Sequence, residues 1–254
     1  VVEIAHARSG SGSTVVLLGS LGSDRSMWDP QVRALSADHD VLAVDIRGHG
    51  ESPVATVDYT ISSLADDVLE LLDRLDIGSA HVVGLSLGGA IAQYLAAHAP
   101  TRVRTLTLLC TSAKFGEPGG WLDRAVFVRS NGTGALAEAV VGRWFSPEFA
   151  GSVDSWVAMV TNTPDEGYAR CCEALAHWDG RADLVRITAP TLVIAGAQDP
   201  ATTPADLGAI ADAIPNSTLH VLNPGAHLVN VEQSDAVSRL IADHIAAQGL
   251  DGDL

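Results

Sequence analysis

The chain has 254 residues, 47% of them hydrophobic, and a formal charge of −16 from 31 acidic against 15 basic side chains. That length suits one large core carrying an inserted subdomain, and the apolar content excludes a disordered or low-complexity chain. The acidic residues are scattered along the sequence, which argues against a nucleic-acid partner because phosphate binding needs a basic face.

No run approaches the roughly 18 consecutive apolar residues of a membrane span. The stretch Val1 to His6 lacks the basic-then-apolar build of a secretion signal, so a cytoplasmic protein without a membrane partner is expected. Cys110, Cys171 and Cys172 are too few and too oddly spaced for a disulfide framework and read as free thiols of a reducing compartment.

In chain order, Val1 to Ala7 reads as an antiparallel edge strand. The β-branched apolar runs Thr14 to Leu18, Val41 to Val44, Ala80 to Val83, Val103 to Leu109, Thr191 to Ala195 and Thr218 to Leu222 read as further strands. Helices with legible starts separate them. Asp29-Pro30 opens one; Thr60 precedes Ile61, Leu64, Val68, Leu71, Leu72 and Leu75; Thr203-Pro204 precedes Leu207, Ile210 and Ile214. Alternating strand and helix is the mark of an α/β protein with a mostly parallel sheet.

The alternation breaks between about Ala113 and Asp179. Helical segments Ala135 to Phe145 and Pro164 to His177 follow one another there without a strand, and Thr163-Pro164-Asp165-Glu166 reads as a capping box. The chain therefore divides into a first core segment, 1–112, a helical cap over the strand ends, 113–180, and a second core segment, 181–254.

Gly84-Leu85-Ser86-Leu87-Gly88-Gly89 lies between the strand ending at Val83 and a helix through Ala90, Ile91, Tyr94, Leu95 and Ala96. G-x-S-x-G in that setting is a nucleophile elbow, a strained turn whose flanking positions leave no room for side chains. A serine hydroxyl needs a base within reach, itself held in the correct tautomer by a carboxylate. Behind such an elbow the acid and then the histidine follow in chain order, each in a loop after a strand. Asp199, in Gly196-Ala197-Gln198-Asp199-Pro200, and His227, in Pro224-Gly225-Ala226-His227, meet both conditions.

The other histidines fail on context. His6, His39, His81, His98 and His220 sit in or beside strands and helix ends, His177 is in the cap and His244 is on the last helix. His49 follows a strand but precedes Ser86 and reads as a loop brace, and Asp45 is the competing acid. Backbone N–H groups of Leu87 and of Leu21, in the small-residue turn Gly19-Ser20-Leu21-Gly22, are the expected oxyanion donors, with Ser20 the alternative to Leu21.

With these residues in place, the chain resembles the 3-oxoadipate enol-lactonases of the β-ketoadipate pathway, a branch of the α/β-hydrolases. The resemblance runs nearly end to end. It rests on Ser20-Leu21-Gly22 with Met27-Trp28, on Asp45 to Gly50, on Gly84 to Gly89, and on Ala226-His227-Leu228 with Asn230-Val231-Glu232. In the cap it rests on Gly120-Trp121, Arg143-Trp144-Phe145 and Glu166-Gly167-Tyr168 leading into Cys171-Cys172. Gly19 departs from it, standing where that branch is expected to carry a polar residue.

The resemblance implies an α/β-hydrolase fold with the cap inserted after the sixth core strand, and hydrolysis of 3-oxoadipate enol-lactone through an acyl-enzyme on Ser86. No metal or organic cofactor is called for, and the expected partner is a small anionic lactone. Its carboxylate needs a local cation. Arg124, Arg143 and Arg170 are the candidates, with Trp121 and Trp144 as walls. Another cap-bearing hydrolase, such as a C–C bond hydrolase, a haloperoxidase-like esterase or a carboxylesterase, is the rival within enzymes. A ligand-binding protein that keeps the fold without turnover is the rival outside them.

Overall fold

The computed structural model describes residues 1–57 and 59–249. Its centre is a sheet of seven strands, β1 (His6–Ser9), β2 (Ser13–Leu18), β3 (His39–Val44), β4 (Ala80–Leu85), β5 (Val103–Leu109), β6 (Thr191–Gly196) and β7 (Ser217–Leu222). They lie side by side in the order β1-β3-β2-β4-β5-β6-β7; β1 is antiparallel to β3 and every other pairing is parallel.

Successive residues of β2 face opposite sides, and both sides are covered. Val15 and Leu17 belong to one apolar cluster, Val16 and Leu18 to the other, and all four are fully buried. Such strands carry no polar alternation and appear in sequence as unbroken apolar runs. One face is covered by α1 (Asp29–Leu35) and α10 (Ser234–Gly249), the other by α2 (Ile61–Arg74), α3 (Leu87–His98) and α8 (Pro204–Ala213).

The helix entries follow the sequence at two places and depart from it at two. Thr60 caps α2 and Thr203 caps α8, each in a reciprocal box with the residue three positions on, Ser63 and Asp206. Asp29 is instead the first residue of α1, because a 3₁₀ turn, Arg25–Trp28, runs straight into it; the cap of that turn is Asp24, which accepts from Ser26 N at 2.9 Å. Thr163 does not cap α7 (Asp165–Ala176) either. Its hydroxyl lies 3.1 Å from Met159 O and 3.2 Å from Gly22 O, joining the preceding helix to the core.

The edge strand β1 begins later than the apolar start of the chain suggests. Ala5 O accepts from Asp45 N and Ala5 N donates to Ser52 Oγ, so the first residues run along the loop after β3. The helical insert leaves after β5, the fifth strand in chain order where the sixth was expected; the runs read as strands before Ala113 also number five.

The insert contains α4 (Pro118–Asn131), α5 (Ala137–Val141), α6 (Asp154–Asn162) and α7, with no strand among the described residues of 113–179. Helix α5 stops at Gly142, well short of Phe145. Helix α4 has no regular apolar period: it buries only Ala125 and Val128 while Leu122, Val126 and Phe127 are exposed. Gly180 N donates to Ala113 O at 2.8 Å, which brings the two ends of the insert together. Residues 250–254 of the second core segment lie outside the described residues. The three cysteines are free and buried, and no described helix is long and apolar enough to cross a membrane.

Candidate active site

Ser86 stands between β4 and α3 with φ 56° and ψ −114°, a conformation that side-chain-bearing residues avoid. The surroundings hold it there. Ser86 N donates to Leu109 O at 3.1 Å, and Ser86 O accepts from Ala90 N at 3.1 Å and from the Thr111 hydroxyl at 2.7 Å. A Cβ on Gly84 would come within 2.3 Å of Gly88 O, and one on Gly88 within 2.2 Å of Leu18 O, so the spacing of the glycines is a steric requirement of the turn.

Asp199 follows β6 and His227 follows β7, and the two loops are zipped together by Gln198 N donating to Gly225 O at 2.8 Å and Gly225 N donating to Gln198 Oε1 at 3.1 Å. His227 Nδ1 lies 2.8 Å from Asp199 Oδ2, with both residues buried. Burial alone would push the Asp199 carboxyl up. The His227 charge and hydrogen bond, the Thr202 hydroxyl and the Ala201 N–H outweigh it and hold the group below the usual carboxylate value. An ionised carboxylate only accepts, so Nδ1 carries the proton and Nε2 presents its lone pair.

All four acceptor positions of Asp199 are taken. Oδ1 accepts from Ala201 N at 2.8 Å and Thr202 N at 3.2 Å, and Oδ2 from the Thr202 hydroxyl at 2.7 Å as well as from His227. Thr202 was not expected from sequence. Its hydroxyl also lies 3.4 Å from His227 Nδ1, and its side chain faces the same cavity as the histidine.

That cavity, of about 230 Å³, gathers most of the expected site: Ser86, His227, Leu21, Trp121, Arg124, Arg143 and Trp144 all line it. It is smaller than the ~300–1,000 Å³ usual for ligand pockets, so it suits a small ligand. Phe115, Val140 and Tyr168 line it too and were not foreseen as walls. Tyr168 lies within the Glu166-Gly167-Tyr168 signature already noted; burial first, and then the Cys172 thiol, raise its phenol above the ordinary value.

On the core side of the cavity, Ser20 N donates to Met27 Sδ at 3.4 Å and is therefore turned away from an oxyanion. Gly88 N donates to Gly19 O at 2.9 Å, tying this turn to the elbow. A Cβ on Gly19 would come within 2.9 Å of both Met27 Sδ and Ser23 Oγ, so the space of the expected polar side chain is filled by those two.

On the cap side, the Trp121 indole N–H donates to Phe115 O at 2.6 Å, and the Arg124 guanidinium sits 4.7 Å above the Trp121 ring. Trp144 is buried and meets Trp156 edge to face at 6.4 Å. Among the described residues, neither Arg124 nor Arg143 forms an ion pair. Burial, and then the Arg124 charge, push the Arg143 guanidinium below its ordinary value. Two like charges facing one cavity without carboxylates make a place for an anion.

Other expectations resolve differently. Arg170 is away from the cavity, donating to Glu166 Oε1 at 2.7 Å. Asp45 accepts from Arg25 N, from the Arg25 guanidinium and from Glu51 N, and is no competitor for His227. His49 is fully buried, 3.3 Å from Arg47 O, and burial pushes it down to about 4. Arg47 in the same loop forms a bidentate pair with Asp67 on α2 at 2.6 and 2.7 Å, both side chains 1% exposed. No group of three metal-ligating side chains occurs among the described residues.

The family model described as alpha/beta hydrolase fold matches residues 13–150 and 124–234. The chain is 40% identical to 3-oxoadipate enol-lactonase 2 of Acinetobacter baylyi, over 94% of this chain and 92% of that one. Among solved structures it is similar to the enol-lactonase from Burkholderia xenovorans LB400, with 39% identity, a TM-score of 0.91 and 96% of each chain covered. It is also similar to a thermophilic esterase from Thermogutta terrifontis with malate bound, with 30% identity, a TM-score of 0.92, and 97% of this chain and 94% of that one covered.

Proposed function

The chain belongs to the α/β-hydrolase family and is a carboxylic-ester hydrolase, and from that premise we propose that it opens 3-oxoadipate enol-lactone to 3-oxoadipate in aromatic catabolism. One observation carries the proposal. Ser86 and His227 share a small cavity with two arginines that have no carboxylate partner among the described residues, so a reacting carbonyl and a ligand carboxylate can be held together. The similarity to enol-lactonases of two organisms supports the same choice.

Ser86 Oγ attacks the lactone carbonyl while His227 Nε2 takes its proton. The oxyanion is met by the N–H groups of Leu87 and of Leu21, the Ser20 N–H being engaged by Met27. Collapse breaks the bond between the acyl carbon and the ring oxygen. The departing group is an enolate, stable enough to leave before it is protonated; it remains tethered to the acyl chain and takes up the proton from His227 Nε2, which becomes a base again. Water then loses a proton to His227 and attacks the acyl carbon, the bond to Ser86 Oγ breaks as His227 returns that proton to the Oγ, and the enol becomes the ketone. Throughout, Asp199 stays ionised and holds His227 in the tautomer both steps require. The three free, buried thiols support a cytoplasmic enzyme.

Purified protein incubated with the enol-lactone should remove its absorbance far faster than spontaneous decay, and faster than it cleaves simple esters. Ser86→Ala should lower kcat by about 10⁴-fold or more. Decay at the spontaneous rate, with simple esters still cleaved, would leave a general carboxylesterase instead.

A further inference from the structure

The cavity wall at Arg143 has a second side. Arg143 and Pro200 also line an outer groove of about 410 Å³ whose other walls include Phe145, Phe149, Val153 and Gln198. Phe145 and Phe149 are stacked with centroids 4.0 Å apart, and Trp156 closes on Phe145 at 5.5 Å. Arg143 is the sole charged residue lining this groove. Its side chain is half-buried between the cavity that holds Ser86 and an aromatic surface, with no ion pair among the described residues.

A cation in that position does two things at once. It attracts an anion into the inner cavity, and, lining both, it stands between that cavity and an aromatic groove where a longer apolar acyl chain would leave water. We propose that Arg143 is a specificity-determining partition, and that the groove behind it, lined by Phe145 and Phe149, is a subsite for an unbranched aliphatic acyl chain that opens when the guanidinium is removed. The proposal rests on Ser86 as the nucleophile but not on the enol-lactone as substrate.

The test is the ratio of kcat/KM for p-nitrophenyl hexanoate to that for p-nitrophenyl acetate. A methylene moved fully from water into apolar surroundings gains about fourfold. In a groove still partly open to water, Arg143→Ala should raise the ratio about tenfold over wild type. Phe149→Asp in the Arg143→Ala background should return the ratio to the wild-type value while leaving acetate cleavage as it is in the single variant. Phe149→Ala in the same background, a milder change, should lower the ratio part of the way. An unchanged ratio in Arg143→Ala overturns the partition. A raised ratio that neither Phe149 change lowers overturns the groove as its cause. Failure of wild type and Arg143→Ala to cleave either ester overturns this proposal and leaves the enol-lactone reading standing; ester cleavage without enol-lactone opening removes only the lactone.

Discussion

The floor and the roof of the cavity are held by different kinds of bond. On the floor every reactive group is over-determined. Ser86 is fixed by three hydrogen bonds through its backbone, the Asp199 carboxylate has all its acceptor positions occupied, and the loops carrying Asp199 and His227 are laced to each other. On the roof, Arg124 rests on an indole face and Arg143 leans on a wall without an ionic partner among the described residues. The ion pairs that Arg129 and Arg170 make with Glu166 and Glu173 in the cap are at its surface. Under the proposed function, chemistry that tolerates no displacement is thus built on strand ends, while recognition is left to side chains whose charge is uncommitted until a ligand arrives.

If that division is right, floor substitutions reduce turnover and roof substitutions weaken substrate capture. Asp199→Asn should cost the most among these variants, about 10⁴-fold in kcat at neutral pH with the fold intact, because an amide leaves His227 in the wrong tautomer. A drop below tenfold, seen by steady-state kinetics, would mean the floor is not the rigid half. Arg143→Ala should raise KM for the enol-lactone by about ten- to a hundredfold with kcat nearly unchanged, the loss of a charge-assisted hydrogen bond. An unmoved KM would take the anion away from the roof.

Thr202→Val sharpens the contrast, since Thr202 borders the cavity yet bonds to Asp199. We expect kcat to fall about tenfold with KM unmoved and Thr202→Ser to recover it, as for a residue that positions the acid. A rise in KM alone would make it a wall. The smallest effect should come from Arg129→Ala. Its ion pairs lie among groups about a third exposed, so thermal unfolding should register a loss within about 1 kcal/mol and activity should not change.

The same division decides how much could be read before the structure. Strands buried on both faces leave uninterrupted apolar runs, and the elbow and Asp199 each follow one; His227 follows the exposed edge strand β7, whose Leu219, Val221 and Leu222 still read as a strand, so chain order points to the floor. Thr202 escapes because its role depends on which way a loop carboxylate points. Tyr168, Phe115 and Val140 escape because they come together only through packing between the cap and the core. The capping box expected at Thr163 fails for a related reason: its hydroxyl is claimed by Gly22 O and Met159 O, partners fixed by tertiary structure and by the preceding helix. In α4, Pro118 at the start and Gly132 just past the end, φ 81°, are legible boundaries, but its exposed Leu122, Val126 and Phe127 blur the period between them.

The hydrogen bond from Gly180 N to Ala113 O means that the chain departs for the cap and returns at one point. The entropy of closing a loop grows only with the logarithm of its length, so what hangs from such a point can lengthen, shorten or be exchanged at small thermodynamic cost. The strand ends that carry Ser86, Asp199 and His227 lie outside that segment. A lineage can therefore trial new roofs by insertion, deletion or recombination at two neighbouring sites while inheriting an untouched acyl-transfer centre. Grafting 114–179 from a relative with a different substrate is the laboratory equivalent of that step.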